Sequence, residues 1–479
     1  MTDPAHYATG EAPGAAPQLV RGLGTWDVAL ITFGTLVGSA IFIAAGIVFR
    51  EMPQPTVLMG LWVVGGLLSI AGVLTYAELG TMFPEAGGAY HYLKAAYGPL
   101  PGFLFGWTSF LVIQSGTSAF LAVASAERLG YFFPYLQPGH VVLTIPLGVM
   151  TLAIGGSQIA AAIIIALFSA INYVGLREGA RFQNILSIIK IGSLVALVGF
   201  GFAAPAAVEP DWLSVPSEVN WMRSIALAMI GVLWCFDGFY QSTFCGGEIR
   251  DPARTLPRGM IIGLLITLVL YLLVNLVYLR ALPIEELGRV NGVGEGSAIA
   301  LFGASWAPLI TLAVFTSIFG CLAAGVLTGT RIYLPMAQDG LFFRSLAKIH
   351  PVYRTPSACI VAQGLWSIVL AFSGTYEQLG TYVIFAVFLF HAAIGAAVIV
   401  LRRTQPDRPR PYRAWGYPWT PIAFILTALA FVTSTLFERP IESLWGVLIV
   451  ALGLPAYAWW RRNAASGNRQ SAVAPGACL

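Results

Sequence analysis

Two short stretches put residues that weaken a helix inside runs that are otherwise apolar. They are Gly38-Ser39-Ala40, within TFGTLVGSAIFIAAG, and Phe236-Asp237-Gly238, within WCFDGFYQSTFCGGE. Glycine costs a helix about 1 kcal/mol relative to alanine, so an interruption in an apolar span needs a reason. Where a helix unwinds, its N–H and C=O groups lose intrahelical partners and must find others. Free N–H groups at the start of a half-helix suit a carboxylate, and free carbonyls at the end of another suit an ammonium group. A site that offers both suits a zwitterion such as a free amino acid. Gly34 and Gly46 in the same stretch read instead as small residues that let helices approach.

Single polar residues add to this chemistry. Asp237 is the one carboxylate expected near the middle of a span, where an ionisable group is a functional candidate. It could cap the helical segment after the break, bind a cationic part of a substrate, or carry a proton. Lys190 is expected about 9 Å into its span at 1.5 Å per residue, a depth from which a lysine can snorkel to the interface. Phe236 is an aromatic at the break, and His391 reads as a satisfied interior polar group rather than a proton relay. Glu248, Arg250, Asp251 and Arg254 are expected to form a salt-bridge network at one membrane face. The five histidines (His6, His91, His140, His350, His391) are scattered, and no HExxH or GxSxG occurs. No enzyme, metal site or cofactor is therefore expected. No filter sequence or charge ring suggests a channel.

The elements that must position these residues follow from composition. The chain has 479 residues, 57% hydrophobic and 10% charged, with mean hydropathy +0.77. A soluble domain carries about 25% charged residues, so this composition demands a polytopic, all-α membrane protein. Twelve spans are read: 25–49, 56–79, 101–126, 158–175, 184–203, 224–247, 259–280, 305–330, 357–374, 378–401, 419–437 and 443–460. Residues 1–24 and 463–479 read as cytoplasmic tails, with no cleavable signal peptide. With both termini inside, six basic residues lie outside (Arg50, Arg128, Arg223, Arg280, Arg289, Arg439) and the remaining 20 of 26 inside. Splitting 141–175 into two spans would destroy that bias, so one span is expected there, with 141–157 as an outer loop or re-entrant piece. The cysteines (Cys235, Cys245, Cys321, Cys359, Cys478) suggest no disulfide framework. The two interruptions fall in the first and sixth spans, which run in opposite directions. Paired discontinuities of this kind point to an inverted-repeat transporter with a site near the midplane.

Several motifs also resemble a known family. GSAIF (Gly38–Phe42) resembles the GSGIF signature of the amino acid–polyamine–organocation (APC) superfamily. LWCFDGFYQSTFCGGEIRDPARTLPRGM, RIYLPMAQDGLFFRSLAKIHPVYRTP, YAELGTMFPEAGGAYHYL and GLREGARFQNILSIIK resemble segments of its L-type amino acid transporter branch. The resemblance covers about residues 25–460. It implies a first repeat over 25–203, an inverted second repeat over 224–401, and two peripheral helices over 402–462. It implies that main-chain groups of Gly38, Ser39, Ala40 and Ile41, with Phe236, Asp237 and Gly238 opposite, hold the substrate, and that Phe236 gates it. It places Lys190 where sodium-coupled relatives bind a cation, linking the first and eighth helices with Thr316 or Ser317 as partners, so transport should need no sodium. An Asp at position 237 resembles that of members accepting cationic substrates. Ala40 departs from the usual Gly, and its methyl group narrows the space beside the substrate. Relatives tied to a heavy chain carry a cysteine in a segment that here reads GYFFPYLQPGHVVLT, so no disulfide-linked partner is expected. The function implied is secondary active amino acid transport by alternating access across the cytoplasmic membrane, as exchanger or proton-coupled importer. Polyamine or other organic-cation transport is the alternative.

Overall fold

The computed structural model describes residues 18–472 except 44, 148–149, 214–219, 291 and 374–375. Most of the expected N-terminal tail and the last residues of the C-terminal one lie outside the described residues.

The first expected span is divided. α1 (Thr25–Leu36) starts where the Asp27 carboxylate accepts from the Gly24 N–H at 2.8 Å, and it ends where Val37 turns extended. After Val37–Ser39, helix resumes as α2 (Ala40–Ile43) and α3 (Ala45–Glu51). α4 (Pro55–Met82) begins with proline at its first position and a Gln54 side-chain cap on the Val57 N–H. α5 (Ala89–Tyr97) is short. α6 (Pro99–Thr108), a π-turn over Ser109–Ile113 and α7 (Gln114–Leu129) form one long stretch. Segment 141–157, expected as a loop or re-entrant piece, instead forms an antiparallel hairpin of β1 (Val141–Leu147) and β2 (Met150–Gly155). Its run of β-branched residues favours extended pairing over a loop. α8 (Gly156–Val174) is then a single span, as the charge bias required, and α9 (Leu176–Ala203) follows after one extended glycine.

The second half begins with α10 (Trp221–Cys235). It breaks at Phe236–Gly238 and continues as tight 3₁₀ turns at Phe239–Phe244 and Gly246–Glu248 rather than as an α-helix. α11 (Pro252–Ala281), α12 (Ile284–Leu287), α13 (Val293–Phe302), α14 (Ala307–Gly329) and α15 (Tyr333–Gln338) come next. α16 (Ser357–Phe372), α17 (Tyr376–Thr404), α18 (Trp419–Glu438) and α19 (Pro440–Ala472) complete the chain. Among the described residues, ten helical stretches are long and apolar enough to cross a membrane. The other two expected spans are the divided first one and the shorter α16. The protein is an all-α polytopic membrane protein apart from the small hairpin.

Packing places the divided elements at the centre. α1 contacts α9, α11, α14 and the 3₁₀ turn after the second break, and Ile31 through Leu36 are all buried. α18 by contrast buries Pro421, Phe424, Ala428, Phe431 and Thr435, a stripe at three- and four-residue spacing, and exposes Leu426, Leu429 and Phe437. α9 likewise exposes Ile185, Ile188 and Ile189 and buries Gln183, Ser187 and Lys190. Apolar residues outside and polar ones inside are what a lipid solvent selects.

The segment before α1 is tied to the turns after the second break. The Gly22 and Leu23 N–H groups donate to Glu248 O, Arg250 N–H donates to Leu23 O, and Gly87 N–H donates to Phe244 O. The Glu248 carboxylate does not join Arg250 and Arg254 as expected. It takes a bidentate pair from Arg331, at 2.9 and 3.1 Å, with both side chains fully buried. Arg331 is 83 residues away in sequence, but it is buried beside Glu248, whereas Arg250 and Arg254 are exposed. Asp251 and Arg254 are 3.9 Å apart and exposed.

Candidate functional site

The two chain breaks face one another across a single cavity. Gly38, Ser39 and Ala40 line it from the first break, and Trp234, Asp237, Gly238 and Tyr240 from the second. Gln114 and Thr117 of α7, Cys321 of α14, and Val383 and Val387 of α17 complete much of the wall.

Backbone accounting explains how the break at the end of α1 is tolerated. Its last carbonyls need partners that the helix cannot supply. Lys190 Nζ donates to Gly34 O at 2.9 Å and to Val37 O at 2.5 Å. Ser317 Oγ donates to Gly38 O at 3.1 Å. Tyr271 Oη sits 3.1 Å from both Leu36 O and Cys235 O, so one hydroxyl serves the last turns of α1 and α10. Thr35 Oγ1 lies 3.0 Å from Gly238 O and joins the two breaks directly. The lysine is delivered by spacing. Gln183, Ser187 and Lys190 share one face of α9, and the first two donate to Leu30 O at 2.9 and 3.0 Å. Lys190 is therefore a buried rung on a polar ladder along α1 and does not snorkel.

The glycines of the site are sterically required. Gly238 has φ +112°, and a Cβ there would lie 2.7 Å from Thr35 O. A Cβ on Gly38 would come 3.1 Å from Cys321 Sγ, and one on Gly320 would come 2.7 Å from Lys190 Cε. Gly34 packs against Gln183 and Ser187, and Gly46 against Val293, as small residues at helix contacts. Opposite the crowded carbonyls, the Ser39 and Ala40 N–H groups open a new helical segment, and among the described residues no protein group accepts from them. Ile41, also expected in the site, is fully buried and does not line the cavity. The cavity thus has a donor-rich wall at the first break and a carboxylate, Asp237, at the second.

Several expected residues stand elsewhere. Phe236 is 1% exposed and packs between Trp62 and Tyr271, at centroid distances of 6.0 and 5.3 Å. It does not line this cavity, whereas Trp234 does. The Thr316 hydroxyl donates to Leu312 O within its own helix, so Ser317 alone of that pair reaches the first break. Asp237 does not cap the segment after the break, whose N-cap is Gly238. Its Oδ1 lies 3.1 Å from His391 Nε2, and His391 Nδ1 lies 2.8 Å from Tyr76 Oη. His391 is the satisfied interior group expected of it. Tyr76, Tyr271 and Trp234 were not singled out from sequence. Trp234 could have been, because it lies in the same motif, whereas the two tyrosines give no local signal. Among the described residues, no cluster of three or more His, Cys, Asp or Glu could hold a metal.

The chain is similar to known amino acid transporters over most of its length. The chain is 28% identical to the serine/threonine exchanger SteT of Bacillus subtilis (strain 168) over 451 residues, covering 94% of this chain and 98% of that protein. It is 29% identical to the b(0,+)-type amino acid transporter 1 of Mus musculus over 433 residues, 89% of this chain and 85% of the relative. It is 27% identical to the Homo sapiens cystine/glutamate transporter over 429 residues, 89% of this chain and 82% of the relative. The amino acid permease profile matches residues 23–454, a stretch that contains both chain breaks and every cavity-lining residue named above. The chain belongs to the amino acid permease family.

Proposed function

We propose that the protein is a sodium-independent amino acid exchanger of the cell membrane that works by alternating access, with twelve spans and both termini cytoplasmic. The observation that carries this reading is the pairing of two chain breaks over one cavity. The unpaired N–H groups of Ser39 and Ala40 suit the substrate carboxylate. The second break, with Asp237 in the cavity wall, suits its ammonium group or a cationic side chain. The Lys190 ammonium group occupies carbonyls that a bound cation would otherwise use, which supports transport without sodium. Exchange is favoured over proton-driven import by the relatives, whose names include a serine/threonine exchanger.

The gating aromatic is better sought in Trp234 than in Phe236, because Trp234 stands in the cavity wall and Phe236 packs behind it. The division into repeats over 25–203 and 224–401, with peripheral helices over 402–462, is supported by the two equivalent breaks and by the single buried stripe of α18. Segment 130–144 carries no cysteine, which supports function without a disulfide-linked partner.

The test is uptake of labelled amino acids into proteoliposomes of the purified protein. Uptake should require internal amino acid and persist when choline replaces sodium. Uptake into empty vesicles driven by an inward proton gradient would overturn exchange, and strict sodium dependence would overturn the role given to Lys190.

A further inference from the structure

Tyr76 and His391 stand behind Asp237 and do not themselves line the substrate cavity. His391 is 2% exposed and enclosed by Tyr76, Phe239, Tyr240, Phe388 and Phe424. The Tyr76 hydroxyl has one proton and, among the described residues, one protein partner, His391 Nδ1. A buried O–H left without an acceptor costs about 1–3 kcal/mol, so its proton goes to Nδ1. The ring proton is then on Nε2 and is donated to Asp237 Oδ1. The Asp237 carboxyl group accepts this bond and, with 18% of its side chain exposed, stands in the cavity wall.

The other titratable groups around the ring leave this assignment intact. Tyr92 packs against Tyr76, and Tyr240 against His391. Tyr97 donates to Ala393 O on the same helix as His391. Cys321 shares the cavity with Asp237, and Lys190 is engaged by the α1 carbonyls. Among the described residues, no second acid or base contacts His391.

We propose that Tyr76 and His391 are positioning residues for substrate selectivity: Tyr76 fixes the imidazole tautomer, and His391 in turn holds Asp237 as a permanent negative charge beside the substrate side chain. This rests on the amino acid transport reading and adds what sets the charge of its site. A free imidazole changes charge between about pH 5 and 8, and an imidazolium beside Asp237 would cancel the carboxylate. The Tyr76 proton aimed at Nδ1 opposes protonation there, so preference for a cationic side chain should hold across this range.

The experiment compares L-lysine with its uncharged near-isostere L-norleucine as competitors of labelled amino acid uptake into proteoliposomes. For the wild type, the lysine-to-norleucine preference should stay within about two-fold between about pH 8 and about pH 6. Tyr76→Phe frees Nδ1 to take a proton, so its preference should match wild type at the alkaline end and fall about ten-fold at the acid end. Asp237→Asn should show no lysine preference at either pH. His391→Gln still donates an amide proton but cannot titrate, so its preference should be weaker and flat with pH. This variant keeps the test decisive if Tyr76→Phe does not fold. A pH-dependent preference in the wild type or in His391→Gln, or a flat one in folded Tyr76→Phe, would overturn the proposal. Absence of any amino acid uptake by the wild type would instead overturn the transport function on which it rests.

Discussion

Lys190, Tyr271 and Gly238 show what a broken helix in a membrane demands of single residues. Lys190 and Tyr271 supply hydrogen bonds to carbonyls that have no water to turn to. Hydrogen bonds from a charged donor contribute about 1.5–3 kcal/mol each, so Lys190→Met should lower thermal stability in detergent and abolish most uptake. Tyr271→Phe removes the hydroxyl shared by Leu36 O and Cys235 O and should cost about 1–3 kcal/mol of stability and slow transport about ten-fold. Gly238→Ala should be worse than either for transport, because it adds backbone strain and a 2.7 Å contact with Thr35 O. Gly192→Ala is the control: a Cβ there meets nothing within 4 Å, and helix propensity predicts up to about 1 kcal/mol of stabilisation. Scanning fluorimetry and uptake on the same preparations would check all four. The residues of the first break and Lys190 were legible in the sequence because glycines and a lysine are conspicuous in an apolar run. Which aromatic faces the cavity was not. Trp234 and Phe236 are two residues apart, and two helical steps of about 100° each put them on opposite sides of the chain where α10 stops at Cys235.

The elements around the site divide into those that break and those that brace. α1 and α10 end at the breaks, α9 and α14 hold the α1 carbonyls, and α11 ties the two ends together through Tyr271. The end of the bundle beside the start of α1 also holds Glu248 and Arg331, a fully buried pair. Removing one partner of such a pair costs about 3–5 kcal/mol, whereas an apolar replacement of both is often neutral. Glu248→Leu and Arg331→Met should therefore each destabilise the protein more than the double variant does, a result that a double-mutant cycle in thermal unfolding would show. If the pair also acts as a latch on that end, the stable double variant should show altered exchange rates. Such pairs escape sequence reasoning for a physical reason. Glu248 and Arg331 are 83 residues apart, and Tyr76 and His391 are 315 apart, so no local periodicity links them. The β1–β2 hairpin was missed because its apolar run resembled a span or a plain loop, and charge bias constrains only where the chain crosses.

At the scale of the whole molecule, the helical spans were legible because lipid imposes one rule on length and composition. Ten long apolar helices and the amino acid permease match both agree with it. The orientation rests on charge and has its own test: an epitope inserted between Gln137 and His140 should be labelled on intact cells, and one between Pro406 and Arg408 only after permeabilisation. The central claim is that this architecture exists to bring two broken helices together over a zwitterion. Competition by analogues of a transported amino acid tests it most directly, using its methyl ester, its decarboxylated amine and its deaminated acid in the same proteoliposome uptake assay. With charge-assisted hydrogen bonds at both ends of the substrate, each analogue should compete about 100-fold less well than the parent amino acid. An amine or polyamine that competes as well as the amino acid would contradict the account, because the donor-rich wall at Ser39 and Ala40 would then have no carboxylate to bind.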